Sequence, residues 1–331
     1  MRSGLAGKEQ YNYFMDIEKL TPQELNDLKI RVDRRLREVT GADSRSFAER
    51  LSAKDIVELV VFAVKGKAIR CRTLDTGEPL TFRPASGVRS EAEGYILTVR
   101  PGKAWSYGRT TYLSGQVLNM RLDIPALKLI PLKLEDEEVW DPREEYWGEE
   151  GEPVMDCFKP IIAAGPRPSF EMEQILPGFD PEDPDSDPIG QAVDFYETGE
   201  IEKSYTVLQQ CLEADWRVLD AHTHLGNWVF GEEPGKWQAE QARRHYAAGV
   251  AIGELALGPD FKGVLPWGRI NNRPFLRCLH GLGLCFWALG DLQAAGKIFK
   301  RMLWLNPGDN QGARFCLLET SAGTSYAESE L

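Results

Sequence analysis

The spacing of hydrophobic and polar positions divides the chain into a helical start, a strand-rich middle and a helical C-terminal half. Over residues 21–39, apolar side chains recur every three or four positions behind a capping box, which predicts an N-terminal helix. A second helix is predicted over residues 46–64, with Gly66 at its end.

Short runs of alternating apolar and polar residues follow from residue 67 to residue 134, separated by turn signals such as DTGE and RPGK. Four to six strands in about seventy residues predict a small antiparallel β-barrel or a compact antiparallel sheet. The predicted strands read AIRCRTL, PLTFRP, GYILTVRP, AWSYGRTTYLSGQVLNMRL and LKLIPLKL.

Residues 135–188 are predicted to connect two domains. Residues 135–152 contain ten acidic residues and one basic residue, and such a block of like charge resists packing. We expect the aromatic residues Trp140, Tyr146 and Trp147 to pin this strap onto a neighbouring domain. A proline-rich segment, PGFDPEDPDSDP, then leads into the helical half.

Residues 276–309 have the spacing of one complete helical hairpin. Small residues let two antiparallel helices approach closely, large apolar residues fill the space between them, Gly290 turns the chain and Pro307 stops the second helix. The marker positions are Leu279, Leu282, Gly283, Phe286, Gly290, Ala295, Phe299, Met302 and Pro307. This pattern resembles the tetratricopeptide repeat (TPR), a family of stacked helical hairpins that hold partners.

Two earlier segments match the same pattern less fully, and the second has a turn about four residues longer than usual. A helix over residues 310–321 is predicted to cap the stack, because repeat arrays must cover their last apolar face. The markers of these two units are Phe195, Gly199, Ser204, Leu208 and Cys211, then Leu225, Gly226, Ala242 and Tyr246.

The predicted fold class is therefore α+β, in three parts. Residues 1–134 hold the N-terminal helices and the small β-domain, and residues 135–188 form the connector. Residues 189–331 form an α-solenoid of about three TPR-like helical hairpins with a capping helix.

The net charge of the whole chain is −12, and it is distributed unevenly between residues 1–134 and the remainder. Residues 1–134 carry 23 basic and 16 acidic residues, a balance of +7, and the remainder carries 16 and 35, a balance of −19. The six cysteines are scattered without a CxxC pair, which predicts reduced core thiols. Neither a signal peptide nor an apolar run of bilayer length is evident. A soluble, cytoplasmic protein without membrane contact is expected.

The TPR resemblance implies a ligand-binding groove, because fixed positions of each first helix face the ligand in that family. Arg277, Arg314 and Asn227 would then clamp a carboxylate, although the lysines usual for such a clamp are absent. The implied groove residues are Tyr196, Asp220, Thr223, Asn227, Phe230, Arg277, His280, Trp287, Gln311 and Arg314. Equally, the chain itself would fill the groove, with either the acidic strap or the loop 258–274 as the filler.

Basic and aromatic residues are interleaved in the β-domain, a composition that suits single-stranded nucleic acid. The alternative is that Tyr95, Trp105 and Tyr112 fill the core of the sheet while the arginines solvate its rim. The candidate residues are Arg83, Arg100, Lys103, Trp105, Tyr107, Arg109 and Tyr112.

Two motifs suggest metal binding and fit it poorly. His222 and His224 resemble the HxH pair of metal-dependent hydrolases, yet alternate residues of a helix diverge. Asp183, Asp185 and Asp187 have the spacing of a calcium loop, but the glycine that such a loop needs is replaced by proline. No metal, cofactor or catalytic residue is predicted.

The sequence thus favours a non-catalytic adaptor protein that binds a peptide or partner segment in its repeat groove. A nucleic-acid-associated protein that uses the basic β-domain is the second hypothesis, and a metal-dependent hydrolase is the third.

Overall fold

A closed β-barrel is followed along the chain by an array of helical hairpins. The α+β class is therefore confirmed. The helix predicted over residues 21–39 lies outside the described part of the chain. The computed structural model describes residues 45–66, 68–85, 94–148, 151 and 153–329.

The barrel closes in the strand order β1-β2-β3-β5-β4 around one apolar core. All neighbouring strands are antiparallel except β3 and β5, which are parallel, so the predicted antiparallel barrel is mixed. Five-stranded Greek-key barrels of this kind include the OB fold. A capped helix α1 (Phe47–Ser52) precedes the strands β1 (Val57–Lys65), β2 (Ala68–Thr73), β3 (Pro79–Pro84), β4 (Ile96–Tyr107) and β5 (Thr110–Arg121).

The helix predicted over residues 46–64 is wrong beyond α1, because strand β1 begins at Val57. Leu59 and Val61 point into the barrel core, whereas Val60 and Phe62 pack on its outside against the repeats. A strand that is buried on both faces loses the alternation that marks strands in a sequence. The last predicted strand, LKLIPLKL, is also wrong. It contains the end of a short helix α2 (Ile124–Leu127) and an irregular segment that leads to β6 (Leu134–Asp136).

The connector is pinned to the repeats by aromatic residues. Trp140 and Trp147 pack on the core of the repeats, as expected, while Tyr146 is 77% exposed. The guanidinium of Arg167 lies between the rings of Trp140 and Trp304, at 4.8 and 4.1 Å from their centroids. The connector contains a short helix α3 (Lys159–Ala163) and strand β7 (Phe170–Met172), which pairs with β6.

Three helical hairpins and one capping helix make up the C-terminal array, as predicted. Their helices pack in sequence order, each hairpin against the next. Among the described helices, none combines the length and the apolar character that crossing a bilayer requires. The hairpins are α4 (Pro188–Glu197) with α5 (Ile201–Ala214), α6 (Leu219–Phe230) with α7 (Lys236–Leu257), and α8 (Arg273–Ala288) with α9 (Leu292–Leu305), followed by α10 (Ala313–Ala322).

Glycines at equivalent places bring the helices of two hairpins into close contact. A Cβ atom added to Gly283 would lie 2.5 Å from the ring of Phe299, and one added to Gly226 would lie 2.6 Å from the ring of Tyr246. Both aromatic residues are almost fully buried. The second and third units therefore share one packing device, in which a glycine on the first helix receives a ring from the second helix. This internal repetition supports the TPR-like assignment.

Candidate functional site

Residues from two successive first helices and from the segment before α10 meet in a central groove. A cavity of about 360 Å³ lies among α6, α8 and the segment just before α10, and it shares His280, Leu284 and Gln311 with a neighbouring cavity of about 970 Å³. We call these two cavities together the groove. The smaller cavity is lined by Asn227, Phe230, Gly231, Tyr246, Trp267, Arg277, His280, Gly281, Leu284 and Gln311.

Asn227 and Arg277 provide the accessible polar groups of the smaller cavity. The Asn227 side chain is exposed, and its carbonyl oxygen accepts a hydrogen bond of 2.6 Å from the Tyr246 hydroxyl, which orients the amide. The Arg277 side chain is 40% exposed and makes a long contact of 3.5 Å with Asp220. Its guanidinium also lies 5.6 Å from the ring centroid of Trp267. Most of the hydrogen-bonding capacity of Arg277 is therefore left for a ligand.

Asp220 and Thr223 were expected to face a ligand and do not, because neighbouring segments bury them. Gln174 of the connector donates a hydrogen bond of 2.9 Å to the Asp220 carboxylate, and burial raises the pKa of Asp220 to about 6 although Arg277 opposes the shift. The Thr223 hydroxyl lies within the core and donates to the carbonyl oxygen of Leu219 at 3.1 Å.

Phe230 and Trp287 are also buried, in this case beneath the segment that follows α10. The Trp287 indole nitrogen donates to the carbonyl oxygen of Thr324 at 2.9 Å, and the Tyr326 ring stands edge-on to Trp287. Trp287 lines the larger cavity, and Phe230 lines the smaller one.

The remaining predicted groove residues are divided between the groove and its surroundings. His280 and Gln311 line both cavities, and burial lowers the pKa of His280 to about 4. Tyr196 instead stacks on Trp228, with ring centroids 4.4 Å apart. Arg314 pairs with Asp309 at 2.8 Å, so it is not placed with Arg277 as a carboxylate clamp would require.

Neither predicted filler occupies the centre of the groove. The loop 258–274 contributes Trp267 to the wall of the smaller cavity. Asn272, from the same loop, is fully buried and binds the connector: its amide nitrogen donates to the carbonyl oxygen of Phe170 at 2.9 Å, and its amide oxygen accepts from the Met172 backbone at 2.8 Å. Among the described residues, none of the connector lines either cavity, whereas Tyr326, Ala327 and Ser329 of the C-terminal segment line the larger one.

His222 and His224 point into different environments. The His222 Nε2 atom lies 3.1 Å from the carbonyl oxygen of Trp216, so that nitrogen carries the proton. His224 instead packs against the ring of Trp228. Within the described residues, no group of three or more His, Cys, Asp or Glu side chains could hold a metal ion. The acidic run that contains Asp183 and Asp187 forms a short 3-10 turn, and Asp187 caps helix α4.

The outer face of the barrel carries a row of side chains that crosses four strands. Arg70 pairs with Thr81, Thr81 with Tyr112, and Tyr112 with Trp105, each in register on neighbouring strands. The Trp105 and Tyr112 rings are stacked at 5.4 Å, and the Arg83 guanidinium lies 5.1 Å from the Tyr112 ring centroid.

Trp105 and Tyr112 therefore do not fill the barrel core, which was the alternative interpretation of this region. Only Tyr95 of the three is buried. Trp105 and Tyr112 are partly exposed on the outer face, and Tyr107 is 78% exposed at the end of β4. Among the described residues, Arg83, Arg100, Lys103 and Arg109 form no ion pair with a carboxylate.

Comparisons with known proteins find a partial likeness among solved structures. No family model matches the chain, and no curated protein matches it. The repeats are similar to a solved structure described as the first TPR of Spaghetti (RPAP3) bound to the HSP90 peptide SRMEEVD. The likeness covers 41% of this chain and 88% of that one, at 18% identity and a TM-score of 0.31. The repeat assignment therefore rests on the hairpin packing described above.

Proposed function

We propose that this chain is a non-catalytic, intracellular interaction protein that binds a peptide or a partner segment in its groove. The supporting observation is the convergence of Asn227, Arg277, His280 and Gln311, which come from successive helical units, on one open cavity. Binding sites are typically concave and largely apolar, with a few convergent polar groups. The groove shares the concavity and the convergent polar groups, and aromatic residues line the smaller cavity beside the Arg277 guanidinium and the Asn227 amide.

The two polar groups suit different parts of a peptide. A guanidinium binds a carboxylate through two parallel hydrogen bonds, whether the carboxylate is a side chain or a chain terminus. An amide both donates to and accepts from a peptide backbone, and Asn227 keeps its nitrogen for this purpose because its oxygen already accepts from Tyr246. A segment with a carboxylate near Arg277 is therefore the favoured ligand.

The role of Arg277 is testable with peptides selected from a random phage-displayed library on the full-length chain. Arg277→Ala should weaken the selected peptides about 10-fold or more, because a hydrogen bond to a charged group contributes ~1.5–3 kcal/mol. Asn227→Ala should weaken them less, because its hydrogen bonds are neutral. Isothermal titration calorimetry measures both effects.

Lys297→Ala is the matched control, because it removes one positive charge from an exposed position of α9 outside the groove. The control should bind as the wild type does. Equal affinities of wild type and Arg277→Ala for every selected peptide would contradict groove binding.

A second candidate function, binding of single-stranded nucleic acid, is favoured by the stacked pair on the barrel. Trp105 and Tyr112 offer partly exposed ring surface, and base stacking on such rings is tolerant of sequence. Arg83 and Arg109 lie on the same barrel and supply positive charge for the phosphate backbone. The net charge of −12 works against this function at long range.

Binding of a labelled oligothymidine of about 12 nucleotides by the full chain tests this candidate. Trp105→Ala and Tyr112→Ala should each weaken binding about 10-fold, since a stacked base is worth ~1–3 kcal/mol. Arg83→Ala should reduce the salt dependence by about one phosphate contact. Tyr146→Ala removes an exposed ring from the connector and serves as the control. Unchanged affinity in both ring variants would exclude the outer face of the barrel as the nucleic-acid-binding site.

A further inference from the structure

A short segment after α10 occupies one end of the groove in the manner of a bound peptide. Helix α10 ends at Ala322 and is capped by Gly323, which has a φ of 88°, and residues 324–329 then turn back over the groove. The carbonyl oxygen of Thr324 accepts a hydrogen bond from the Trp287 indole nitrogen at 2.9 Å. Two residues later, the Tyr326 ring is inserted beside Trp287 and Phe230. We call residues 324–329 the tail.

The position that receives the Tyr326 ring is a defined aromatic slot. The ring stands perpendicular to Trp287, with centroids 5.4 Å apart, and nearly perpendicular to Phe230, with centroids 6.0 Å apart. Edge-to-face contacts at these distances are the favoured geometry of aromatic pairs. Trp287 is itself fixed from below by Phe299 of the neighbouring helix. The slot therefore belongs to the repeats, and the tail fills it.

Although the tail covers part of the groove, it is held loosely. Ser325, Ala327 and Glu328 are exposed, and Thr324 and Tyr326 are only partly buried. Much of its hydrogen bonding is internal, since Glu328 and Ser325 form a capping box with each other. Within the described residues, the Tyr326 hydroxyl makes no hydrogen bond, so the ring rather than the hydroxyl fixes the tail.

We propose that partner segments enter the groove with an aromatic side chain in the slot between Phe230 and Trp287, and that they displace Tyr326 to do so. The proposal rests on the groove-binding function above and specifies the ligand further. The partner would repeat what the tail shows: a backbone carbonyl that accepts from Trp287, followed two residues later by an aromatic ring. As a tethered competitor, the tail would lower the apparent affinity of every partner, because an intramolecular ligand acts at a high effective concentration.

Charge at the groove mouth adds a second requirement for the partner. Glu232 and Glu233 lie in the turn between α6 and α7 and line the larger cavity together with Ala327 of the tail. In the described part of the chain, neither glutamate is paired with a cation. A partner with lysine or arginine directly after its aromatic residue would place that charge where Ala327 lies. The chain's own tail lacks this charge, which makes it the weaker ligand.

The proposal can be tested with the tail as a probe on the full-length protein. The probe is a fluorescent peptide with the sequence of residues 322–329, AGTSYAES, and its binding is followed by anisotropy. It should bind Tyr326→Ala about 10-fold more tightly than the wild type, because the variant leaves the slot empty. Tyr326→Phe should behave as the wild type, because its ring still fills the slot.

Two altered probes establish what the slot recognises. A probe with alanine in place of its tyrosine should show no measurable binding to Tyr326→Ala. A probe with lysine at the position of Ala327 should bind that variant about 3-fold more tightly than the original at low salt, and this gain should disappear at high salt. If the lysine probe bound no more tightly than the original probe, the charge requirement would be wrong.

The slot itself would be overturned if the original probe bound wild type and Tyr326→Ala equally, or if the ring-less probe bound as well as the original. Thermal melts of both Tyr326 variants check that the fold is kept. Failure of the proposed groove-binding function would give a different result. Arg277→Ala would then leave the affinities of the selected peptides unchanged, while the probe would still bind Tyr326→Ala.

Discussion

Lowering the pH from 7 to 5 should destabilise the repeats strongly, because buried histidines must take up protons. Burial lowers the pKa of His222 to about 4 and that of His245 to about 3, against ~6.5 in an unfolded chain. Stability from a group held neutral in the fold is fully present above the unfolded pKa and is lost as the pH falls below it. Each of the two should cost about 2 kcal/mol at pH 5, at 1.36 kcal/mol per pKa unit.

Other groups modify this loss without reversing it. His224 and His280 also have pKa values lowered to about 4 by burial, and their partial exposure makes their contributions smaller. Asp220 acts in the opposite direction: its raised pKa of about 6 means that protonation between pH 7 and 5 relieves a buried charge, worth about 1 kcal/mol. The net loss is on the order of 5 kcal/mol, comparable to the whole stability of a typical domain.

Urea unfolding followed by circular dichroism at pH 7 and pH 5 measures this loss. His222→Gln is the informative variant, because a glutamine amide can still donate to the Trp216 carbonyl oxygen but does not titrate. It should remove about 2 kcal/mol of the pH dependence. Equal free energies of unfolding at the two pH values would show that these histidines are not held neutral by the fold.

Gly283→Ala should destabilise the third hairpin by about 2–3 kcal/mol, because the added methyl group would overlap a ring. Its Cβ atom would lie 2.5 Å from the Phe299 ring, which is itself fully buried and has little freedom to move. Phe299→Leu should recover part of the loss in the double variant, although alone it leaves a small cavity. A double-mutant cycle in chemical denaturation measures this coupling, which should exceed about 1 kcal/mol.

Gly296→Ala is the matched control in the neighbouring helix α9. The nearest side-chain atoms to its added Cβ would be those of Leu317 and Thr320, both at 3.8 Å, which is ordinary contact. In an unstrained helix position this change should stabilise the protein by about 0.5–1 kcal/mol, because alanine restricts the unfolded chain. If Gly283→Ala were as well tolerated as Gly296→Ala, the close approach of the two helices would be wrong.

The helical array could be predicted from sequence because its constraints are local. Gly283, Phe299 and Pro307 mark positions whose packing reasons recur at fixed spacing, so a single strong unit set the register for the weaker ones. Strand β1 could not be predicted in the same way. Its apolar residues face both the barrel core and the repeats, and only the fold shows that a second domain covers its outer face.

The groove shows the same division between local and non-local information. The repeat register indicated that Asn227, Arg277 and His280 would converge on one cavity, where the structure places them. It gave no sign that Gln174 would cover Asp220 or that Tyr326 would cover Trp287. These covering residues lie in segments without a repeat pattern, and their contacts join positions at least 39 residues apart in sequence. Tyr246, which orients Asn227, was recognised only as a core residue.

The interface between the barrel and the repeats buries apolar residues of both domains. Val60, Phe62 and Ile96 pack against Trp216, and on the same edge Arg70 pairs with Glu213 at 2.8 Å. Cutting the chain between the two domains would expose these apolar residues on both domains. Exposed apolar patches of this kind promote aggregation. Fragments made at this boundary would therefore not represent the two domains as they are in the intact chain. The barrel acts as a fixed support for the first hairpins.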